Sequence, residues 1–147
     1  MSKILIRPAT TADVPAIVDL AVESVSVNPL PVRLDRQAMG DTARALIIGN
    51  QHFSWVSVKG GRVVGAVGAC VQPGFWFQRS QASVLMFFAH AGGIELLREL
   101  ARWVRARPTI KVAVFSLEPG MDPRIGHLLS RLGFGRQSQT FTYVRGA

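Results

Sequence analysis

Nine carboxylates, three imidazoles and one thiol are the groups of this 147-residue chain that can move protons, bind metal or act as nucleophiles. His52, His90 and His127 share no metal-ligand spacing, and Cys70 stands alone, so no metal site is expected and an internal disulfide framework is excluded. Cys70 reads as a small core residue of a strand. Two groups are placed where proton transfer is useful. His90 ends the apolar run 82–89 beside Gly92-Gly93, as a base or as a half-exposed turn residue. Glu118 follows the apolar run 110–117, as a base near a strand end or as a solvated loop carboxylate. His52 leads a strand without a visible partner. Asp122 precedes Pro123, the pattern of a helix N-cap followed by Pro at the first helical position. Phe75-Trp76-Phe77 lies in a glycine-flanked loop beside Arg79, and three consecutive aromatics cannot all face one core. They offer a substrate wall, a partner patch, a homodimer contact or a cover for the sheet.

The charge is +8, from 17 basic and 9 acidic residues, and 14 of the cations are Arg. Arg forks suit phosphates and carboxylates, although an Arg-for-Lys bias also follows from coding composition. The helical face with Arg98, Arg102 and Arg105 is balanced by Glu95 and Glu99, and no motif for reading bases accompanies it, so sequence-specific nucleic-acid binding is not expected. With 48% hydrophobic and 18% charged residues the chain has apolar surface enough for a core, which excludes a disordered chain. No apolar run has the length of a membrane helix, and Ile4-Leu5-Ile6 is broken by Arg7-Pro8, so the expected location is cytoplasmic with no membrane partner.

The elements that must position these groups follow from periodicity. Residues 2–7 predict a strand. Thr10 and Asp13 form a capping-box variant before a helix whose Val14, Ile17, Val18, Ala21, Val22 and Val25 share a face. Residues 28–31, Asn-Pro-Leu-Pro, break it. Residues 35–48 predict a second helix, turned inward at Met39, Ala43, Leu46 and Ile47. A strand led by Phe53, a Lys59-Gly60-Gly61-Arg62 turn and a strand over 63–71 form a hairpin, with Gly65 and Gly68 marking a bulge or a close backbone approach. Residues 82–89 predict a central strand covered on both faces. A glycine turn then opens a helix over 94–107. A buried strand over 110–117, a helix from Asp122 to Leu132, and a last strand over 141–144 complete one domain spanning 1–147. The order is β–α–α–β–β–β–α–β–α–β, a mixed α/β sheet.

This order resembles the GNAT family of acetyl-CoA-dependent N-acetyltransferases. The opening Ile4-Leu5-Ile6-Arg7-Pro8-Ala9-Thr10-Thr11-Ala12-Asp13 is similar to that family's entry into its first helix, and Lys59 to Gly65 is similar to its hairpin. Asp122-Pro123-Arg124-Ile125 through Arg131-Leu132-Gly133-Phe134 resembles its late helix ending in Gly-Phe. The resemblance implies an α/β fold with a GNAT-like mixed central β-sheet flanked by about four helices. It also implies an acetyl-CoA site at Phe88, Ala89, His90, Ala91, Gly92, Gly93 and Ile94, where loop amides and a helix N-terminus would hold the pyrophosphate. Asp122 takes the position of a family Asn that contacts the cofactor, and His90 could bind phosphate as well as act as base. Ser116 could contact the cofactor or its thiolate, or be a buried strand serine bonded to backbone. The loop is short, with Ala91 in place of a glycine and Phe88 in place of a cation, and Glu95 puts a negative charge in the first turn. Leu129 occupies the position of the family's acidic Tyr, and 82–89 carries no carboxylate.

The function these residues imply is transfer of an acetyl group from acetyl-CoA to an amine acceptor, with His90 and Glu118 as the catalytic candidates and Phe75, Trp76 and Phe77 as the substrate-binding ones. The alternative is a non-catalytic GNAT-fold binding or structural protein, for example a phage virion-associated component, which the short loop and the missing Tyr favour.

Overall fold

Two neighbouring hydrophobic layers, separated by a sheet, organise the computed structural model, which describes residues 3–27 and 29–145. Among the described residues five strands run in the order β1 (Ile4–Pro8), β2 (Phe53–Lys59), β3 (Arg62–Pro73), β4 (Ser80–Ala89) and β5 (Ile110–Val114). The first three pairings are antiparallel and β4 with β5 is parallel. The helices are α1 (Val14–Val27), α2 (Arg36–Ile48), α3 (Gly93–Arg105) and α4 (Arg124–Arg131). The fold is thus α/β, a mixed sheet flanked by four helices.

Strand alternation assigns the faces. Val56, Ala66, Met86 and Phe88 pack with α1 and α2, while Phe53, Val67, Phe87 and Ala89 pack with α3 and α4. The long α3 presents Leu96, Leu97, Leu100 and Ala101 to the sheet and its charges to solvent, where Glu99 pairs with Arg102. Asp13 accepts from the Thr10 amide at 2.8 Å in the turn that leads into α1. Asp35 caps α2 by accepting from the Ala38 amide at 3.0 Å. Of the predicted break at 28–31, Asn28 lies outside the described residues; Pro29 to Pro31 are not helical.

Four expectations need correction. No strand forms over 141–144: Phe141 and Tyr143 are 91% and 79% exposed, because β-type residues make a strand only where a ladder partner and a packing face exist. Consequently β5 has one neighbour, ends at Val114 and exposes Lys111, Val112 and Val114, so the predicted buried strand 110–117 is a short edge strand. Ser116 lies beyond it and is exposed. Nor is β4 covered on both faces, since Leu85 is 52% exposed. The helix expected over 94–107 begins and ends earlier, at Gly93 and Arg105.

Candidate active site

The cleft originates in an incomplete pairing. β4 and β5 are in register only from Ser80 to Ser83, against Ile110 to Val114. Beyond that the two chains part, and Val84 to Ala89 have no strand partner on that side. The same region is bent: Gly68 pairs with Met86 and Ala69 with Val84, leaving Leu85 as the extra residue of a β-bulge. The bulge breaks the alternation of β4, so Val84 and Phe87 face the same layer.

The parted strand leads into the glycine turn. The His90 amide donates to the Val64 carbonyl at 2.9 Å, and the Ser57 hydroxyl donates to the Ala91 carbonyl at 2.7 Å. Gly92 takes a left-handed conformation at φ 80°, which sets the angle at which α3 leaves the sheet. The first backbone bond of α3 joins the Leu96 amide to the Gly92 carbonyl. The amides of Gly93, Ile94 and Glu95 therefore stand before the ladder begins, at the positive end of a 13-residue helix. No cationic side chain belongs to this turn, and Glu95 lies in its first helical turn.

Beside the parted strands lies a cavity of about 450 Å³, bounded by α1, α2, β3, β4 and residues 115–121. Its walls are largely apolar, and Ser24, Thr42, Ser54 and Ser116 add hydroxyls. Glu118 is the one ionisable residue among those lining it. Six of the nine acidic residues form ion pairs, and Asp35 caps α2. Among the described residues Glu118 has no such partner.

The structure brings together only part of the set the sequence singled out. Ala91, Gly92, Gly93 and Ile94 form the turn and helix start, with Ala89 packed under them against Gly65. Phe88 points into the α1 layer and meets the His90 ring edge-on at 5.1 Å. His90 does not line the cavity; its Nε2 lies 2.8 Å from Glu23 Oε1 on α1. Glu118 and Ser116 do line it, and both are exposed, so Glu118 is a solvated loop carboxylate at the mouth of the cavity. Asp122 accepts from the Arg124 amide at 2.9 Å and pairs with its guanidinium, whose hydrogen bonds hold the carboxyl below its usual range. Phe75 and Trp76 are 87% and 94% exposed, while Phe77 folds back over Gly74. This aromatic loop precedes β4 and the glycine turn follows it, so ten residues of strand, about 30 Å, separate them.

Three further residues shape the site. Ser57 is fully buried beneath the turn, and its one signal is a polar residue at an inward position of Phe53–Lys59. Leu85 carries no signal, being one apolar residue within an apolar run. Glu23 meets His90 across 67 positions of sequence. His52 does have a partner, since its Nδ1 accepts from the Val71 amide at 3.0 Å. Among the described residues no group of three or more His, Cys, Asp or Glu could hold a metal ion, and no helix is long and apolar enough to cross a membrane.

No family model matches the chain, and no curated protein matches it in sequence. Solved structures match over nearly the full length. A predicted acetyltransferase of Clostridium acetobutylicum, solved with acetyl-CoA, superposes with a TM-score of 0.74 at 10% identity, covering 97% of this chain and 96% of that one. The aminoglycoside N-acetyltransferase AAC(6')-Iy, in complex with CoA, gives 0.71 at 13% identity, covering 100% and 97%. An acetyltransferase of Trypanosoma brucei gives 0.68 at 16%, covering 96% and 99%. At such identities the likeness is one of fold, and the chain has the mixed α/β fold of the GNAT acetyltransferases.

Proposed function

We propose that residues 1–147 form a cytoplasmic acetyltransferase domain that transfers an acetyl group from acetyl-CoA to an amine. One observation carries this reading: β4 parts from β5 at Ser83, bulges at Leu85 and runs directly into the Gly92 turn and the free amides of α3. The residues present fit an extended thioester carrier that ends in phosphates. The unpartnered backbone of Val84 to Ala89 can hydrogen-bond an extended arm as a neighbouring strand would. The amides of Gly93, Ile94 and Glu95 suit a pyrophosphate. Binding there rests on backbone dipoles alone, as Phe88 supplies no cation and Glu95 opposes the anion. Asp122, bound to its own helix start, is assigned a structural part in this site.

Acetyl-CoA supplies the activated acetyl group when bound. Glu118 lines the cavity that meets the parted strands, and we assign it the proton that an ammonium must lose before it can attack. His90 is assigned to hold the end of β4 against α1 through Glu23. Phe75 and Trp76 are not among the residues that line the cavity, and they are assigned to a protein contact. Support for the reading comes from the neighbours solved with acetyl-CoA or CoA. Calorimetric titration with acetyl-CoA tests it. Micromolar binding is expected, and no binding at millimolar acetyl-CoA would overturn it in favour of a non-catalytic role for the same fold.

A further inference from the structure

We infer that the acceptor is a monoamine carried on an apolar body, bound with its ammonium against Glu118 and its hydrocarbon part between α1, α2 and the sheet. The transfer of acetyl to that amine rests on the reading above, but the binding claim does not.

The cavity sets the class by what lines it. A volume of about 450 Å³ suits a small organic molecule. Val25, Met39, Leu46, Met86, Phe115 and Met121 contribute apolar surface. Three of these are methionines, whose unbranched side chains adapt to varied apolar shapes. Among the described residues no Arg, Lys or His lines the cavity, so it offers no partner to a carboxylate or phosphate on the acceptor. A desolvated anion without a partner is costly to bury. Amino acids and phosphorylated amines are therefore poor occupants.

Charge also separates this cavity from polycation sites. A ligand with several ammonium groups needs several carboxylates, and this cavity holds one, Glu118. The protein's net charge of +8 adds long-range repulsion. One ammonium can be satisfied at Glu118, which forms no ion pair among the described residues. The Ser24, Thr42 and Ser116 hydroxyls can take further hydrogen bonds. An aminoglycoside, with its many amines and hydroxyls on sugar rings, matches neither the walls nor the charge count. The fold is shared with aminoglycoside acetyltransferases, and the acceptor class is not.

Three ligands test the inference by calorimetry on the whole chain: 2-phenylethylamine, its neutral analogue 2-phenylethanol, and kanamycin. The amine is expected to bind at least tenfold more tightly than the alcohol, and kanamycin not to bind. In Glu118→Gln the amine should weaken by tenfold or more while the alcohol is unchanged, which also shows that the variant folds. Ala21→Phe, which fills the cavity, should weaken both. Equal binding of amine and alcohol, an unchanged amine affinity in Glu118→Gln, or kanamycin binding more tightly than the amine would each overturn the inference. A parallel acetyl-CoA titration keeps the two readings apart. Amine binding without acetyl-CoA binding removes the transferase and keeps the acceptor class; acetyl-CoA binding without amine binding does the reverse.

Discussion

The hydroxyl of Ser57 donates a 2.7 Å hydrogen bond to the carbonyl of Ala91, across 34 positions of sequence, and ties the middle of β2 to the turn that opens α3. Ser57 is fully buried, and two glycines crowd around it. A Cβ at Gly65 would lie 2.4 Å from its Oγ, and a Cβ at Gly92 would lie 2.7 Å from its Cβ. The turn therefore sits on a pedestal with no spare volume. Ser57→Ala removes the donor and leaves the Ala91 carbonyl without it. The expected loss of stability is about 1–2 kcal/mol by urea denaturation. Acetyl-CoA affinity should fall by up to about tenfold, the equivalent of ~1.4 kcal/mol. Unchanged affinity with lowered stability would confine Ser57 to a purely structural part.

Gly61 and Gly92 make a matched pair. Both have positive φ, 74° and 80°. A Cβ at Gly61 meets nothing within 4 Å, whereas one at Gly92 would also lie 3.0 Å from Ile4 Cγ2 on β1. Gly61→Ala should cost about 1–2 kcal/mol, the backbone term alone. Gly92→Ala should cost about 1–3 kcal/mol more, because two strands must move to admit the methyl group. Equal losses in thermal denaturation would show that the turn is not wedged against β1 and β2.

Glu95 lies in the first turn of α3, where its carboxylate favours the helix and opposes a phosphate. Glu95→Gln should lower stability by about 0.3–1 kcal/mol. It should tighten acetyl-CoA binding about two- to fivefold at low ionic strength, and the gain should shrink in high salt as the charge is screened. Calorimetry at two salt concentrations reads both. A gain that is absent at low salt would place the phosphates away from this helix end.

Arg7 and Asp13 join β1 to the start of α1 through bonds of 2.7 and 3.0 Å. The Arg7 guanidinium holds the Asp13 carboxyl below its usual range, against the opposing cost of burial and with help from the Thr10 amide. The sign follows from proton counting. Below about pH 4 the unfolded chain takes up the Asp13 proton before the folded protein does. The pair's contribution is therefore fully present above that pH and is lost as pH falls through the lowered, folded value. Arg7→Ala should cost about 1–3 kcal/mol at neutral pH. The variant's stability should also depend less on pH across the acid limb, as urea unfolding between pH 2 and pH 7 can show.

Trp76 makes the simplest test of the aromatic loop. Its side chain is almost wholly exposed, so Trp76→Ser should change stability by less than about 0.5 kcal/mol. Binding of 2-phenylethylamine and acetyl-CoA should be untouched, since Trp76 does not line the cavity and the loop lies at the opposite end of β4 from the glycine turn. Weakened amine binding would restore the loop as a wall of the acceptor site.

Much of the fold was legible because its signals are local. Thr10 and Asp13 mark the entry to α1, Asp35 the start of α2, and Lys59-Gly60-Gly61-Arg62 the β2–β3 turn, each from side-chain chemistry within a few residues. Gly65 and Gly68 were readable as marks of a bulge or a close backbone approach: the register shifts beside both, and the Ala89 backbone lies against Gly65 while the Leu46 side chain lies against Gly68. The glycine turn was readable from composition, and α3 opens one residue before the position expected for it.

What the sequence by itself determined is the order of elements as far as the last helix, the caps and turns between them, and the inward faces of α1 and α2, since each depends on propensity and periodicity over a few residues. Only the tertiary structure decided where β4 leaves β5, that Leu85 bulges, that His90 turns to Glu23 and that Glu118 meets the cavity. It also decided that 141–144 finds no ladder. These features depend on which distant backbone lies alongside, and a strand-forming segment has the same local character whether or not a partner is there. The apolar run 82–89 shows the limit most plainly: it forms a strand from end to end, yet it is covered where β5 follows it and opens into a cleft where β5 turns away.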